Sequence, residues 1–109
     1  MTTMLMEVEI YVEDTGLCKA LTIEGDDVYT AIYLGEKESY EVADRLEALV
    51  VDRRGREPYE LKDGLDSLAI EEYKWMEVRI VLNGVRGVLD LQAVREIAHD
   101  LRCGWEAGE

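Results

Sequence analysis

Eleven of the first 44 residues are carboxylates and only two are lysines, a net of −9, and the carboxylates are regularly spaced. Glu7, Glu9 and Glu13 fall on alternate positions of the stretch from Met4 to Asp14. An extended strand holds such residues on one side, neighbours at i and i+2 being about 6–7 Å apart. Glu24, Asp26 and Asp27 follow at a Gly-containing turn, and Glu36, Glu38, Glu41 and Asp44 lead into a helical pattern. Outward carboxylates at this spacing resemble the charge row of a nucleic-acid strand, where B-DNA carries one charge per ~1.7 Å of axis. The chemistry they can do is to pair with the cationic side chains of a basic groove, with steered association and counterion release. Tyr11, Tyr29 and Tyr33 lie in the same segment and are candidate aromatic anchors, since tyrosine is enriched where interfaces are strongest.

Other reactive side chains carry less. His99 is the sole histidine. On a helix its sequence neighbour Asp100 points about 100° away, so that pair cannot orient a general base. Cys18 sits in a strand pattern and Cys103 at the negative end of a helix, neither a setting that lowers a thiol pKa, so both are read as inert buried or half-buried thiols. Asp26-Asp27 and Asp63-Gly64-Leu65-Asp66 are the densest metal-ligand candidates, but neither has the spacing of a calcium loop, and ordinary turn chemistry explains both. With 25 acidic residues, some carboxylate pair will always stand at a glycosidase-like separation, so that signal has no specificity. Arg53, Arg54 and Arg56 form the one basic patch, flanked by Asp52 and Glu57, and read as the charged end of a helix. No catalytic residue, metal ligand or cofactor is expected.

Local patterns supply the elements that would position these groups. Met4 to Asp14 alternates as a half-buried strand. Thr15-Gly16 reads as a turn, Leu17 to Ile23 as the returning strand, and Val28 to Leu34 as a third. Ser39 is placed as N-cap of a helix from Tyr40 to about Arg54, with Val42, Leu46, Leu49 and Val50 on its apolar stripe and Gly55 closing it. Gly55 to Asp66 reads as a connection, and Leu65 to Glu72 as a short helical turn or the beginning of the next strand. A strand from Tyr73 to Leu82 and another from Val85 to Leu89 flank Asn83-Gly84, the strongest hairpin signal in the chain. Asp90 caps a last helix, Leu91 to Cys103, with Gly104 as its stop and Trp105 to Glu109 as a frayed tail. Both halves run strand, turn, strand, helix. The likeness of Met6-Glu7-Val8-Glu9-Ile10 to Met76-Glu77-Val78-Arg79-Ile80 is what any two amphipathic strands share. The expected fold is α+β, a mostly antiparallel sheet of about five strands with two helices packed on one face, in ββ(β)α-ββα order, as one acidic domain over 1–109.

The charge limits the partners. A formal −13 on 109 residues lies beyond the ~2–8 that solubility needs on a small domain. It repels nucleic acid and anionic membrane, so direct binding to either is not expected. The 48% apolar content is that of a folded protein, and two distant cysteines form no disulfide framework. The chain opens without a basic, then apolar, leader pattern, and a soluble cytoplasmic protein is expected.

In size and charge the chain resembles several groups of inhibitors: phage-encoded anti-restriction and anti-CRISPR DNA mimics, and acidic immunity proteins or antitoxins that plug basic nucleases. The likeness rests on no motif and carries over no residues. It implies a non-catalytic inhibitor of a nuclease or other nucleic-acid-binding protein, acting in a host cytoplasm if phage-encoded. Glu7, Glu9, Glu13, Asp26, Asp27, Glu36, Glu38, Glu41 and Asp44 are the expected contacts. The second expectation is an assembly protein, a homodimer joined at sheet edges, whose charge only keeps it in solution.

Overall fold

Alternation in the sequence becomes register in the structure, a computed structural model that describes residues 8–50, 58–74 and 76–105. Strands β1 (Glu9–Asp14), β2 (Lys19–Glu24) and β3 (Tyr29–Leu34) form one antiparallel sheet, sheet A, in the order β1-β2-β3. β2 is central, paired on both edges, and its Ala20-Leu21-Thr22-Ile23 run is buried throughout. Asp14 Oδ1 accepts from the Gly16 amide at 3.0 Å and Thr15 N donates to Cys18 O at 3.0 Å, closing the first hairpin. Helix α1 (Glu36–Val50) follows.

The second sheet corrects the expected single sheet of about five strands. Strands β4 (Tyr59–Asp63), β5 (Asp66–Glu72), β6 (Glu77–Leu82) and β7 (Val85–Asp90) form a separate four-stranded antiparallel sheet, sheet B, in sequence order, and helix α2 (Leu91–Arg102) closes the chain. The segment read as a connection and a short helical turn is the hairpin β4–β5. Its Asp-Gly-Leu-Asp tip looked like loop, and the alternation of Tyr59 with Leu61 and of Leu68 with Ile70 was too short to stand out beside it. The strand expected from Tyr73 begins only at Glu77, because Met76 has a left-handed φ of 59° and Tyr73 N bonds Glu77 O in a tight turn. Helix α1 starts at Glu36 rather than Tyr40. Ser39 is therefore inside the first turn, fully buried, with its amide on Gly35 O and its hydroxyl without a hydrogen-bond partner.

The Asn83-Gly84 turn forms as expected, with φ of 51° and 85°. Asn83 does more than turn the chain. Its Oδ1 accepts from Ser67 N at 2.8 Å, and its Nδ2 donates to Asp66 Oδ1 at 3.2 Å and Thr30 Oγ1 at 2.9 Å, tying sheet B to β3 of sheet A.

One cluster of buried side chains joins all the layers. Leu21, Ile23, Ile32 and Leu34 come from sheet A, and Leu68, Ile70, Val78, Ile80, Leu82 and Leu89 from the inner face of sheet B. Val42, Leu46 and Leu49 of α1 and Val94, Ile97 and Leu101 of α2 complete it. The helices lie against each other and against the inner face of sheet B, while α2 also meets β1. Arg102 of α2 bonds Asp44 Oδ1 at 2.6 Å and Glu47 Oε1 at 2.9 Å on α1. Partial burial works against the guanidinium's charge, and these two carboxylates more than offset it, so its already high pKa is pushed further up. Asp90 caps α2 as expected, accepting from Ala93 N at 2.9 Å. Trp105 is not frayed. Its indole donates to Leu101 O at 2.7 Å, and its ring covers the ammonium of buried Lys19, 5.5 Å from the centroid. Arg53, Arg54, Arg56 and the expected cap Gly55 lie outside the described residues.

Candidate partner-binding face

The register of sheet A decides which of the expected contact residues share a surface. Cross-strand partners point the same way, so Glu9, Glu24 and Tyr29 make one row across the outer face; Tyr11, Thr22 and Ala31 make the next; Glu13, Ala20 and Tyr33 make the third. The intervening residues, Ile10, Val12, Leu21, Ile23, Ile32 and Leu34, turn into the core. The outer face thus has a floor of small residues (Ala20, Thr22, Ala31) under a canopy of three tyrosines and three glutamates. Glu9, Glu13 and Glu24 are exposed, Tyr11 is half-buried, and Tyr29 and Tyr33 are 61% and 55% exposed.

This face is internally ordered. The Tyr11 phenol donates to Glu24 Oε1 at 2.7 Å on the diagonal between neighbouring rows. The bond to Glu24, backed by the charges of Glu24 and Glu13, pushes the Tyr11 pKa up to about 12, since ionising it would add another negative charge to the cluster. At the end of the sheet the turn bond Gly25 N to Val28 O, at 2.8 Å, presents Asp26 and Asp27 to solvent, and Asp26 shares a shallow groove with Val8, Glu9 and Glu24. Glu24, which the sequence assigned to the turn, belongs to the strand face; its pairing with Glu9 is a matter of register that spacing alone could not reveal.

Of the remaining expected contacts, Glu36, Glu38, Glu41 and Asp44 lie on α1 rather than on the strands of this face. Glu36 and Glu38 lie in the first turn of α1, and Glu38 meets Tyr33 in a small crevice with Leu61, Lys62 and Asp63. Glu41 accepts from the Tyr59 phenol at 3.2 Å, and Asp44 is held by Arg102, so the partners of both belong to other elements. Burial, and then Glu41, push the Tyr59 pKa up to about 12. Glu7 lies outside the described residues. The eight described acids of the expected array therefore form two groups, one on sheet A and its turn and one along α1.

Comparison with protein-family models, with curated proteins and with solved structures gives no match. The surface must be read from its own chemistry.

Elsewhere, the structure sets His99 Nε2 3.6 Å from Cys103 Sγ, both exposed, an i,i+4 contact that a helical wheel contains and that corrects the expectation of a buried thiol at 103. Cys18 is half-buried, with its sulfur 3.2 Å from Thr15 Oγ1. Among the described residues no three of His, Cys, Asp and Glu converge as metal ligands, and no helix is long and apolar enough to cross a membrane.

Proposed function

We propose that this chain is a non-catalytic inhibitor that docks the outer face of sheet A onto the nucleic-acid-binding surface of a basic protein, as a DNA mimic does. The observation that carries this reading is the shared face. Glu9, Glu13 and Glu24 stand with Tyr11, Tyr29 and Tyr33 on one side of one sheet, with Asp26 and Asp27 at its end. Carboxylates supply complementarity to a basic groove and speed encounter, while exposed tyrosines supply the apolar contact that charge alone lacks. A face on a paired sheet is also rigid, so little ordering entropy is lost on binding. The partner class is a nuclease or nucleic-acid-binding complex of the type blocked by anti-restriction, anti-CRISPR, immunity or antitoxin proteins, in the cytoplasm where such partners act.

The test is capture from a bacterial lysate at low and at high salt, with duplex DNA as competitor. Retention of a nucleic-acid-binding protein that DNA displaces and salt weakens is the expected result. Retention that DNA leaves untouched would contradict the mimic reading.

A second reading, self-assembly, draws on Leu17 and Leu65, which stand 92% and 102% exposed at two hairpin tips. Sedimentation of the wild-type chain and of Leu17→Ser/Leu65→Ser separates it: a dimer that the double variant dissolves favours assembly.

A further inference from the structure

We infer that the outer face of sheet A selects arginine over lysine side chains, an inference that rests on the docking reading above. The molecule contains its own pattern for it. Arg79 lies over the Tyr73 ring, 5.6 Å from the centroid, while its guanidinium bonds Glu71, through Nε at 2.8 Å and also through Nη2. Arg45 lies 5.5 Å from the Tyr59 centroid, and the Tyr59 phenol donates to Glu41. In both, a tyrosine ring, a carboxylate and a guanidinium come together, the carboxylate bonding the guanidinium at the first site and the phenol at the second. Lysines lie on rings as well, Lys74 5.3 Å from the Tyr73 centroid and Lys19 5.5 Å from that of Trp105, but the carboxylate that Lys19 reaches, Asp14, stands at 3.4 Å, against 2.8 Å from Arg79 to Glu71.

Sheet A presents the first two parts without the third. Glu24 stands directly across from Tyr29 and beside the Tyr11 phenol that it already accepts. Among the described residues no cation stacks on Tyr11, Tyr29 or Tyr33, and none pairs with Glu9 or Glu24. Neighbouring strands are about 4.8 Å apart, so a group lying on the Tyr29 ring is within reach of the Glu24 carboxylate. A planar guanidinium can stack flat on a ring and still donate in its own plane to a carboxylate. An ammonium is a compact, strongly hydrated point charge that gives up more water to do the same. The missing part is therefore an arginine supplied by the partner.

The experiment compares capped octa-arginine with capped octa-lysine, equal in length and charge, binding at one fixed salt concentration to the wild-type chain, to Tyr29→Leu/Tyr33→Leu, and to Glu9→Lys/Glu24→Lys. The wild type should bind octa-arginine roughly fivefold or more tighter than octa-lysine, and the tyrosine variant should lose most of that ratio while holding octa-lysine as before. Equal binding of both peptides, abolished by the glutamate variant, would overturn arginine selectivity and leave acidic docking standing. The same would follow from an arginine preference that survives loss of both tyrosines. Failure of both peptides to bind the wild type would overturn the docking reading itself.

Discussion

The Tyr11 phenol and the Glu24 carboxylate are bonded at 2.7 Å across the first hairpin, joining two rows of the open face of sheet A. The bond has a pH signature. The Tyr11 pKa is raised from 10.0 to about 12 by the bond and by nearby carboxylates, and that of Tyr59 from 10.0 to about 12 by burial and Glu41. A raised folded-state value favours the neutral phenol, so the stabilisation is fully present below pH 10 and is lost as pH rises through 12. Phenolate absorbance should show two tyrosines ionising near pH 12, one of them absent in Tyr11→Phe and the other in Tyr59→Phe. Ionisation of both near pH 10 in the folded chain would refute the two bonds.

Sheets A and B touch where Ile10 meets Gly87. A Cβ at position 87 would stand 2.5 Å from Ile10 Cδ1 and 3.3 Å from its Cγ1, so β7 has no side chain where β1 crosses it. Gly87→Ala should cost about 1–3 kcal/mol by overpacking. Ile10→Val, which removes the methyl at the clash, should cost about 0.5–1.5 kcal/mol alone. In the double variant the two costs should fall well short of their sum, because the second change makes room for the first. Denaturant unfolding of the four proteins reads this directly, and strict additivity would mean that the sheets do not meet there.

Ser39 offers a change in the other direction. Its hydroxyl is buried in the first turn of α1 with no hydrogen-bond partner. Ser39→Ala removes an unsatisfied polar group and substitutes a better helix former, and should stabilise by about 1 kcal/mol. The melting temperature should rise by roughly 4 °C or more. A loss of stability would show that the hydroxyl is satisfied in solution.

What the sequence disclosed follows from how local each signal is. Alternation along β1, the Asn83-Gly84 turn and the Asp90 cap are decided by neighbours two to four residues apart. The turn and the cap appear where expected, and of the strand expected over Met4 to Asp14 the part from Glu9 forms, Met4 to Glu7 lying outside the described residues. The start of α1 was misplaced because Ser39 has the chemistry of a cap, while its burial depends on packing that no cap rule contains. Division into two sheets depends on which strands pair, a property of residues such as Ile10 and Gly87 that are far apart in the chain. The candidate face was half legible. Glu9, Glu13 and the tyrosines could be placed on strands, but Glu24 joined them only through register, and Asp44 left the array because Arg102, 58 residues away, binds it. Trp105 was read as tail because only one of its partners is local, the Leu101 carbonyl four residues back, while the lysine its ring covers lies in β2.

The measurement that bears most directly on the proposed function separates the face from the net charge. Glu9→Lys/Glu13→Lys/Glu24→Lys and Glu60→Lys/Glu96→Lys/Asp100→Lys both move the formal charge from −13 to −7, the first on the open face of sheet A and the second on exposed positions of β4 and α2. In capture from a bacterial lysate, the DNA-displaceable partner should be retained by the wild type and by the second variant and lost by the first, with the salt dependence of binding falling alongside. Equal loss in both variants, or undiminished capture by the first, would contradict the assignment of sheet A as the binding face.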